Sequence, residues 1–230
     1  VLLGRQVDLA RAQRVSAEAH AGQPRLLVIA GAASTGRSRM LDEVVTQSDG
    51  GGRTVALRAT PDAATLLPRF DAALESLSAS VFRGEPTPEP ADRAQRVLAS
   101  IRRLHATAET GPITVGIDDV EHLDRSTFAL IREAVLGPAG PILVAITTVD
   151  APPDHLAHLI EDASAVGRAA VIHIGPLGRA DARDLARACG LDGSTAEEVA
   201  TVARGLPGRI VDLAVHRRAP GADLPTGADA

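Results

Sequence analysis

The chain has very little of what builds disulfide frameworks, aromatic binding platforms or membrane spans. Its 230 residues include one cysteine, three phenylalanines, and neither tryptophan nor tyrosine. A single cysteine, Cys189, excludes an internal disulfide and a multi-cysteine metal site, and this favours a cytoplasmic location. So few aromatic rings argue against a surface on which nucleic-acid bases stack. No apolar run approaches the roughly 18 residues that a membrane helix needs, so we expect a globular protein without membrane contact.

Lysine is also absent, since all 24 basic residues are arginine, and the formal net charge is -5. An acidic balance opposes broad affinity for nucleic acid, which needs a clustered basic face. The chain begins at Val1 without a basic and then apolar leader, so the sequence predicts no secretion signal and fits a fragment of a longer protein. Any DNA-binding region is expected outside these residues.

The most informative segment is an apolar strand followed by a loop with a glycine near each end. The loop reads Gly31-Ala32-Ala33-Ser34-Thr35-Gly36-Arg37-Ser38. It matches the phosphate-binding pattern G-x-x-x-x-G-K-[ST], except that Arg37 stands in place of the lysine. In such a loop, backbone N–H groups surround phosphates at the positive end of the following helix. The lysine of the pattern reaches the outer phosphates, and the hydroxyl, here Ser38, binds magnesium.

Arginine at position 37 keeps the positive charge but replaces a compact ammonium by a wide planar fork. Loss of one charge-assisted hydrogen bond weakens binding by about 1.5–3 kcal/mol, or roughly one to two decades in affinity. Hydrolysis is expected to suffer more than binding, because the lysine charge matters most where negative charge develops in the transition state. The alternative is compositional: in a chain without lysine, Arg37 reflects a general bias and carries no functional change.

A second motif, at residues 112–119, is a short apolar strand that ends in two adjacent carboxylates, Asp118 and Asp119. This is a Walker B pattern. It predicts that Asp118 holds magnesium opposite Ser38 and that Asp119 orients or deprotonates the attacking water. Alternatively, the two carboxylates form a turn with an acidic helix cap. The presence of the glycine loop favours the Walker interpretation.

The alternation of strands and helices predicts an α/β fold with a parallel sheet between two helical layers, the three-layer P-loop NTPase arrangement, followed by a small helical lid. Strands are expected at residues 25–30, 54–58, 142–147 and 170–174, in addition to the strand of the motif at residues 112–119. Helices are expected at 7–21, 36–47, 66–81, 91–108 and 124–136, with a proline-rich break at 84–90. Ligand is expected at the carboxyl ends of the strands, where both motifs lie.

The pattern after residue 174 contains helices only, and this predicts a change of domain. We expect a P-loop core at residues 1–174, a helical lid at 175–218 and a linker or disordered tail at 219–230. The lid helices are expected at 179–189, 194–204 and 207–216.

In their order and spacing, these motifs resemble the AAA+-like NTPase domains of the signal-transducing STAND class, as found in large ATP-binding LuxR-type bacterial transcriptional regulators. Leu2-Leu3-Gly4-Arg5 is similar to the segment that opens those domains, whose Gly-Arg turn lies against adenine. Asp118-Asp119-Val120-Glu121-His122-Leu123-Asp124 resembles their Walker B signature. Gly175-Pro176-Leu177, with Asp181, resembles the start of their lid, and Gly205-Leu206-Pro207 resembles the lid turn whose proline contacts the base.

The resemblance implies a switch that is off with ADP, on with ATP, and exposes surfaces for self-association or an effector protein when on. Such domains commonly carry an arginine sensor at the end of the fourth strand, where this chain has Thr147. Its hydroxyl could contact nucleotide, although a threonine at a strand end is also an ordinary β-former. The candidate residues are Asp119 for catalysis, Ser38 and Asp118 for Mg²⁺, and Leu3, Gly4, Arg5, Gly31, Ala32, Ala33, Ser34, Thr35, Gly36, Arg37, Ser38, Arg39, Thr147 and Pro207 for nucleotide.

Three functions fit the sequence. The first is a switch that binds ATP or ADP with Mg²⁺ and hydrolyses slowly or not at all. The second is a pseudo-ATPase scaffold that binds no nucleotide, and the third is a P-loop kinase, which the paired aspartates disfavour. Asp154, His155 and His158 share one helical turn and suggest a metal site, but an exposed helix N-terminus explains them better.

Overall fold

The computed structural model describes residues 2–48, 53–60, 66–78, 92–138 and 140–218. These residues form a parallel sheet with helices on both faces, followed by a group of helices, as the sequence predicts. The predicted proline-rich break at 84–90, the last residues of the helix expected at 66–81 and the predicted tail at 219–230 lie outside the described residues.

The sheet has five strands in the order β2-β3-β4-β1-β5, and every neighbouring pair is parallel. Strand β1, which leads into the glycine loop, therefore lies between β4 and β5. Strands covered by helices on both faces are continuously apolar, and this explains the uninterrupted runs in the sequence. The strands are β1 (Arg25–Ala30), β2 (Arg53–Arg58), β3 (Ile113–Asp118), β4 (Ile142–Thr148) and β5 (Ala169–His173).

Apart from α6, for which the sequence analysis gives no bounds, the helices begin and end within two residues of their predicted bounds wherever both ends are described. Aspartate side chains fix three of the starts: Asp92, Asp124 and Asp192 accept backbone N–H bonds in the first turns of α4, α5 and α8. The helices are α1 (Gln6–His20), α2 (Arg37–Ser48), α3 (Leu67–Ser78), α4 (Arg93–Glu109), α5 (Arg125–Leu136), α6 (Asp154–Ala165), α7 (Arg179–Ala188), α8 (Gly193–Val202) and α9 (Pro207–Arg218).

Alternate residues of the central strands pack into two separate cores, one on each face of the sheet. In β1, Leu26 and Val28 pack with apolar residues of α3 to α6, whereas Leu27 and Ile29 pack with α1 and α2. This alternation follows from the two-residue period of a strand. The sheet is thereby held between two helical layers, and its carboxyl edge is left to form the site.

The position of α2 depends on a glycine in the middle of β3. A Cβ atom at Gly116 would lie 2.6 Å from Cγ2 of Val45 on α2, so this close approach requires glycine. Because α2 begins at Arg37, within the last two residues of the glycine loop, the same contact sets the height of the loop above the sheet.

The last three helices, α7, α8 and α9, pack around an apolar cluster of their own, and we call them the lid after the sequence-based prediction. Its buried members are Leu177, Ala182, Ala186, Ala196, Val199, Ala200, Ala203 and Ile210. The division of the chain at residues 174 and 218 stays a prediction. In the part of the chain that the structure describes, no helix is both long and apolar enough to cross a membrane.

Candidate functional site

The glycine loop connects the carboxyl end of β1 to the first turn of α2. Gly36 has a φ of 93° and Ser34 a φ of 64°, so two residues of the loop have the left-handed backbone conformation. Thr35 is buried, and its hydroxyl donates a hydrogen bond of 2.7 Å to the carbonyl of Ala32. At Gly31 a Cβ atom would lie 2.5 Å from the carbonyl oxygen of Ile174, so a larger residue would displace the chain that leads to the lid. The loop is therefore held by an internal hydrogen bond and by the backbone of the residue that follows β5.

Above the loop lies a cavity of about 510 Å³, which is within the usual range for small-molecule sites. Three segments that the sequence analysis singled out separately border it: the N-terminal segment (residues 2–5), the glycine loop and the turn at the start of α9. The lining residues are Leu2, Leu3, Arg5, Ser34, Thr35, Gly36, Arg37, Ser38, Arg39, Leu177, Leu185, Pro207, Gly208, Val211 and Asp212. Of the predicted nucleotide contacts, Gly4, Gly31, Ala32, Ala33 and Thr147 are not among the residues that line this cavity.

Arg5 ties the N-terminal segment to the loop and to the start of the lid. Its guanidinium donates to the carbonyl of Thr35 at 3.2 Å and to the carbonyl of Gly175. Burial lowers the pKa of Arg5, and the nearby carboxylates of Asp8 and Asp181 oppose this effect. Arg5 thus borders the cavity through a side chain that backbone carbonyls already hold.

The lid contacts the glycine loop directly. The backbone N–H of Gly208, in the first turn of α9, donates to the carbonyl of Ser34 at 3.0 Å. A Cβ atom at Gly36 would be in ordinary contact, at 3.8 Å, with Cγ of the neighbouring Pro207. In this arrangement the predicted base-contacting proline stands over the loop.

Asp118, at the end of β3, is buried and accepts four hydrogen bonds. One carboxylate oxygen accepts from the hydroxyls of Ser38, at 3.0 Å, and Thr147, at 2.5 Å. The other accepts two bonds from the Arg58 guanidinium, one of them at 2.9 Å. Burial alone would raise the pKa of Asp118, but the bonds from Thr147, Ser38 and Arg58 outweigh burial, so the pKa is lowered. Ser38 and Asp118 therefore lie side by side, as a Walker pair requires.

Thr147, a predicted nucleotide contact, lies beside the Walker B turn. Its side chain is 0% exposed, and its hydroxyl donates to Asp118 while accepting from the backbone N–H of Asp119 at 2.8 Å. With both partners on the Walker B turn, the hydroxyl positions the two aspartates and does not face the cavity.

Asp119 adopts the left-handed conformation, with a φ of 57°. It precedes a short 3₁₀ helix (Val120–His122), but its side chain makes no capping hydrogen bond to that helix. The acidic cap in this region is Asp124, which accepts from the backbone N–H groups of Ser126 and Thr127 at 3.0 and 3.2 Å. The alternative interpretation of Asp119 as a helix cap therefore does not describe this turn.

Arg37 is directed toward carboxylates. One terminal nitrogen lies 3.5 Å from the Asp119 carboxylate, and the other lies 3.8 Å from the Glu121 carboxylate. The Arg37 side chain is 12% exposed. Arg37 borders the cavity without filling it. The residue in the lysine position is therefore paired with the candidate catalytic carboxylate and with Glu121, which the sequence analysis did not select.

Arg58 is the other participant that sequence reasoning missed. It ends β2 and is the register partner of Asp118 in the neighbouring strand β3. The available signal was a basic residue at a strand end, but its meaning depends on knowing that β2 pairs with β3.

The cluster of Asp154, His155 and His158 does not form a metal site in this structure. Within the described ranges, no group of three or more histidine, cysteine, aspartate or glutamate residues is arranged to hold a metal ion. Asp154 begins α6, and the ring of His155 stacks edge to face against Phe128 with centroids 4.8 Å apart. The expected explanation as a helix N-terminus is the one that the geometry supports.

Comparison with known families agrees with this arrangement of motifs. A family model described as an AAA ATPase domain matches residues 1–146, which is more than half of the chain. The chain belongs to the AAA ATPase domain family. No curated protein matches this AAA domain in sequence.

Solved structures similar to this AAA domain include proteins of the RuvB and ORC groups. RuvB of Thermotoga maritima has a TM-score of 0.59 and 14% identity, over 94% of this chain and 62% of the other. The ORC1 protein of Aeropyrum pernix, in complex with DNA, has a TM-score of 0.65 and 16% identity, over 98% and 63%. The ORC2 protein of the same organism, in its ADP form, has a TM-score of 0.64 and 13% identity, over 94% and 63%. The AAA domain thus spans under two thirds of each of these chains and shares their fold.

Proposed function

We propose that this AAA domain binds ATP or ADP in the cavity between the glycine loop, the N-terminal segment and the lid, and acts as a nucleotide switch with weak or absent hydrolysis. The observation that carries the proposal is that one cavity of about 510 Å³ is bordered by all three segments. The ADP form of the Aeropyrum pernix ORC2 protein, which has the same fold, supports it.

The phosphates would lie against the loop and the start of α2. Backbone N–H groups there carry the positive end of the helix dipole. Arg39, in the first turn of α2, has a side chain that is 59% exposed and lies 3.9 Å from its nearest carboxylate, Glu43, so its guanidinium can reach an anion at low cost. The base and ribose would lie toward Leu3 and Pro207, at the apolar side of the cavity.

The residues present fit Mg²⁺ in the chemistry of their donors. The Ser38 hydroxyl and the Asp118 carboxylate, 3.0 Å apart, are oxygen ligands of the type that magnesium uses beside a nucleotide. Bound there, the ion would neutralise charge on the terminal phosphates.

Weak hydrolysis follows from the partners of Arg37 and Asp119. Asp119 is the candidate for orienting the attacking water, and one of its oxygens lies 3.5 Å from the Arg37 guanidinium, which leaves fewer positions for that water. The same guanidinium lies 3.8 Å from Glu121, so it must turn away from two carboxylates before it can stabilise charge on a phosphate. Arg37 and Asp119, the two side chains on which hydrolysis depends, are thus directed toward each other.

Replacement of Arg37 by lysine tests this proposal. We expect Arg37→Lys to bind ATP about tenfold more tightly than the natural protein and to hydrolyse it faster, because the ammonium can reach the outer phosphates. Calorimetric titration gives the affinities, and phosphate release gives the turnover. Arg132→Lys, which changes an exposed ion pair with Asp162 on the far side of the sheet, is the matched control.

The competing candidate is a pseudo-ATPase scaffold, and the pairing of Arg37 with Asp119 and Glu121 favours it. The two candidates differ in binding. If neither the natural protein nor Arg37→Lys gives heat with ATP or ADP, with or without Mg²⁺, the nucleotide switch is wrong and the scaffold remains.

We also propose that the parent protein is a cytoplasmic STAND-class regulator of the LuxR type. The support is the order of the motif segments along the chain, from residues 2–5 to Pro207. In this proposal the nucleotide state controls self-association or an effector protein, and DNA is bound by a region outside this AAA domain. A change in oligomeric state between ADP and ATP would support it.

A further inference from the structure

The carboxylate of Asp118 has no unused acceptor position in this structure. A carboxylate offers about four lone-pair sites. Ser38 and Thr147 occupy two of these sites, and the two nitrogens of Arg58 occupy the others. A metal ion, or a water molecule bound to it, can reach Asp118 only if one of these donors leaves.

The three donors differ in how easily they can leave. Thr147 is fully buried in β4 and holds the Asp119 N–H as well. Ser38 is itself the hydroxyl that a P-loop magnesium uses, so its departure would remove half of the metal site. Arg58 has a side chain that is 59% exposed, against 7% for Asp118, and water can replace its contacts. Arg58 is the donor that must yield.

The charges lead to the same conclusion. A guanidinium bound side-on to a carboxylate cancels the negative charge that attracts a divalent cation. A cation that arrived beside Asp118 would also be repelled by Arg58 at close range.

We propose that Arg58 competes with Mg²⁺ for Asp118 and so makes nucleotide binding by this domain nearly independent of magnesium. The inference rests on the proposed function, because it concerns the same site, and it assigns Arg58 as the residue that sets the metal requirement. The phosphates are then held mainly by the loop N–H groups and by arginine, and the metal binds only after the Arg58 pair has opened.

Removal of the guanidinium should restore a magnesium requirement. We expect the natural protein to bind ADP with affinities that differ by less than about threefold between Mg²⁺ and EDTA, measured by calorimetry. In Arg58→Gln, Mg²⁺ should raise ADP affinity by about tenfold or more, a change of one decade or about 1.4 kcal/mol. The matched control is Arg132→Gln, whose side chain is 58% exposed and pairs with Asp162 at 3.6 Å away from the site. It should behave as the natural protein.

A second measurement uses the metal alone. Mn²⁺ is titrated without nucleotide, and paramagnetic broadening of the Ser38 and Asp119 backbone amide signals is followed by NMR. We expect half-maximal broadening in Arg58→Gln at a Mn²⁺ concentration about tenfold below that of the natural protein. Thermal unfolding of each variant shows whether it is folded, and Arg58→Ala serves as a second substitution.

The two measurements separate failure of this inference from failure of the proposed function. If the natural protein already gains tenfold in ADP affinity from Mg²⁺, or Arg58→Gln gains nothing, the competition is wrong although nucleotide binding stands. If no protein binds nucleotide, the proposed function is wrong, and the Mn²⁺ titration alone decides: equal midpoints overturn the competition, and a tenfold difference supports it.

Discussion

A guanidinium can offer separate nitrogen atoms to separate carboxylates, and Arg37 does this at the Walker B turn. One terminal nitrogen is directed to Asp119 and the other to Glu121. An ammonium is a single point charge on a flexible stem and cannot hold both with the same geometry. Exchange of lysine for arginine at this position therefore changes which acidic residues are paired as well as the contact with phosphate.

Asp118 gives a prediction for the dependence of stability on pH. Its pKa in the folded protein is below the ordinary value of about 3.9, so the unfolded state binds the proton more readily. The stabilisation is therefore fully present above pH of about 4 and is lost as the pH falls through the lowered pKa. Denaturant unfolding between pH 7 and pH 2 should show this loss in the natural protein, and Asp118→Asn should lack this component.

The control for that measurement is Asp162→Asn, because Asp162 on α6 forms an exposed ion pair with Arg132 on α5. The free energy of unfolding of this variant should change with pH as that of the natural protein does between pH 7 and pH 2. An Asp118→Asn variant whose stability falls with pH just as steeply as that of the natural protein would contradict the assignment.

At the scale of elements, the placement of α2 against β3 determines the height of the loop. We expect Gly116→Ala to lower the free energy of unfolding by about 1–3 kcal/mol, since the added Cβ would meet Val45 at 2.6 Å. Because α2 carries Ser38 and Arg39, the same change should weaken nucleotide binding. Denaturant unfolding and calorimetry measure the two effects.

Gly140→Ala is the matched control, because a Cβ atom there has its nearest neighbour at 3.8 Å, an ordinary contact. It should cost little in stability and nothing in affinity. Equal effects of the two substitutions would show that the approach of α2 to β3 is not what positions the loop.

The elements themselves were largely predictable, because their signals are local. The start of α5 could be predicted because Asp124 is a capping residue followed by an apolar helical pattern. The contact between Arg58 and Asp118 was not predictable, because these residues are 60 positions apart and meet only through the pairing of β2 with β3. The hydrogen bonds of Thr147 with Asp118 and Asp119 could not be predicted for a similar reason, since the pattern of one strand does not show which groups of the neighbouring strand lie beside its end.

In the whole molecule, the first residues of the chain contact the lid. Gly4, with a φ of 66°, lies so close to Asp181 on α7 that a Cβ atom would be 2.6 Å from its carboxylate. We expect Gly4→Ala to displace the lid and weaken nucleotide binding, and to destabilise the protein by at least about 1 kcal/mol more than the backbone strain alone costs. Thermal unfolding and calorimetry test both effects.

Gly22→Ala isolates the strain, because Gly22 also has a positive φ, of 107°, but no atom within 4 Å of an added Cβ. This variant should lose about 1–2 kcal/mol of stability and retain its affinity for nucleotide. If Gly4→Ala retains full affinity as well, the contact with Asp181 plays no part in placing the lid.

The hydrogen bond between Gly208 and Ser34 joins α9 to the glycine loop through main-chain atoms at both ends. No exchange of side chains can delete such a link, unless the new residue is a proline at 208 or shifts the backbone. Mechanical coupling between the two parts can thus survive extensive divergence of the surrounding surface. We therefore expect a displacement of the glycine loop to be passed to α9 whichever side chains surround this bond.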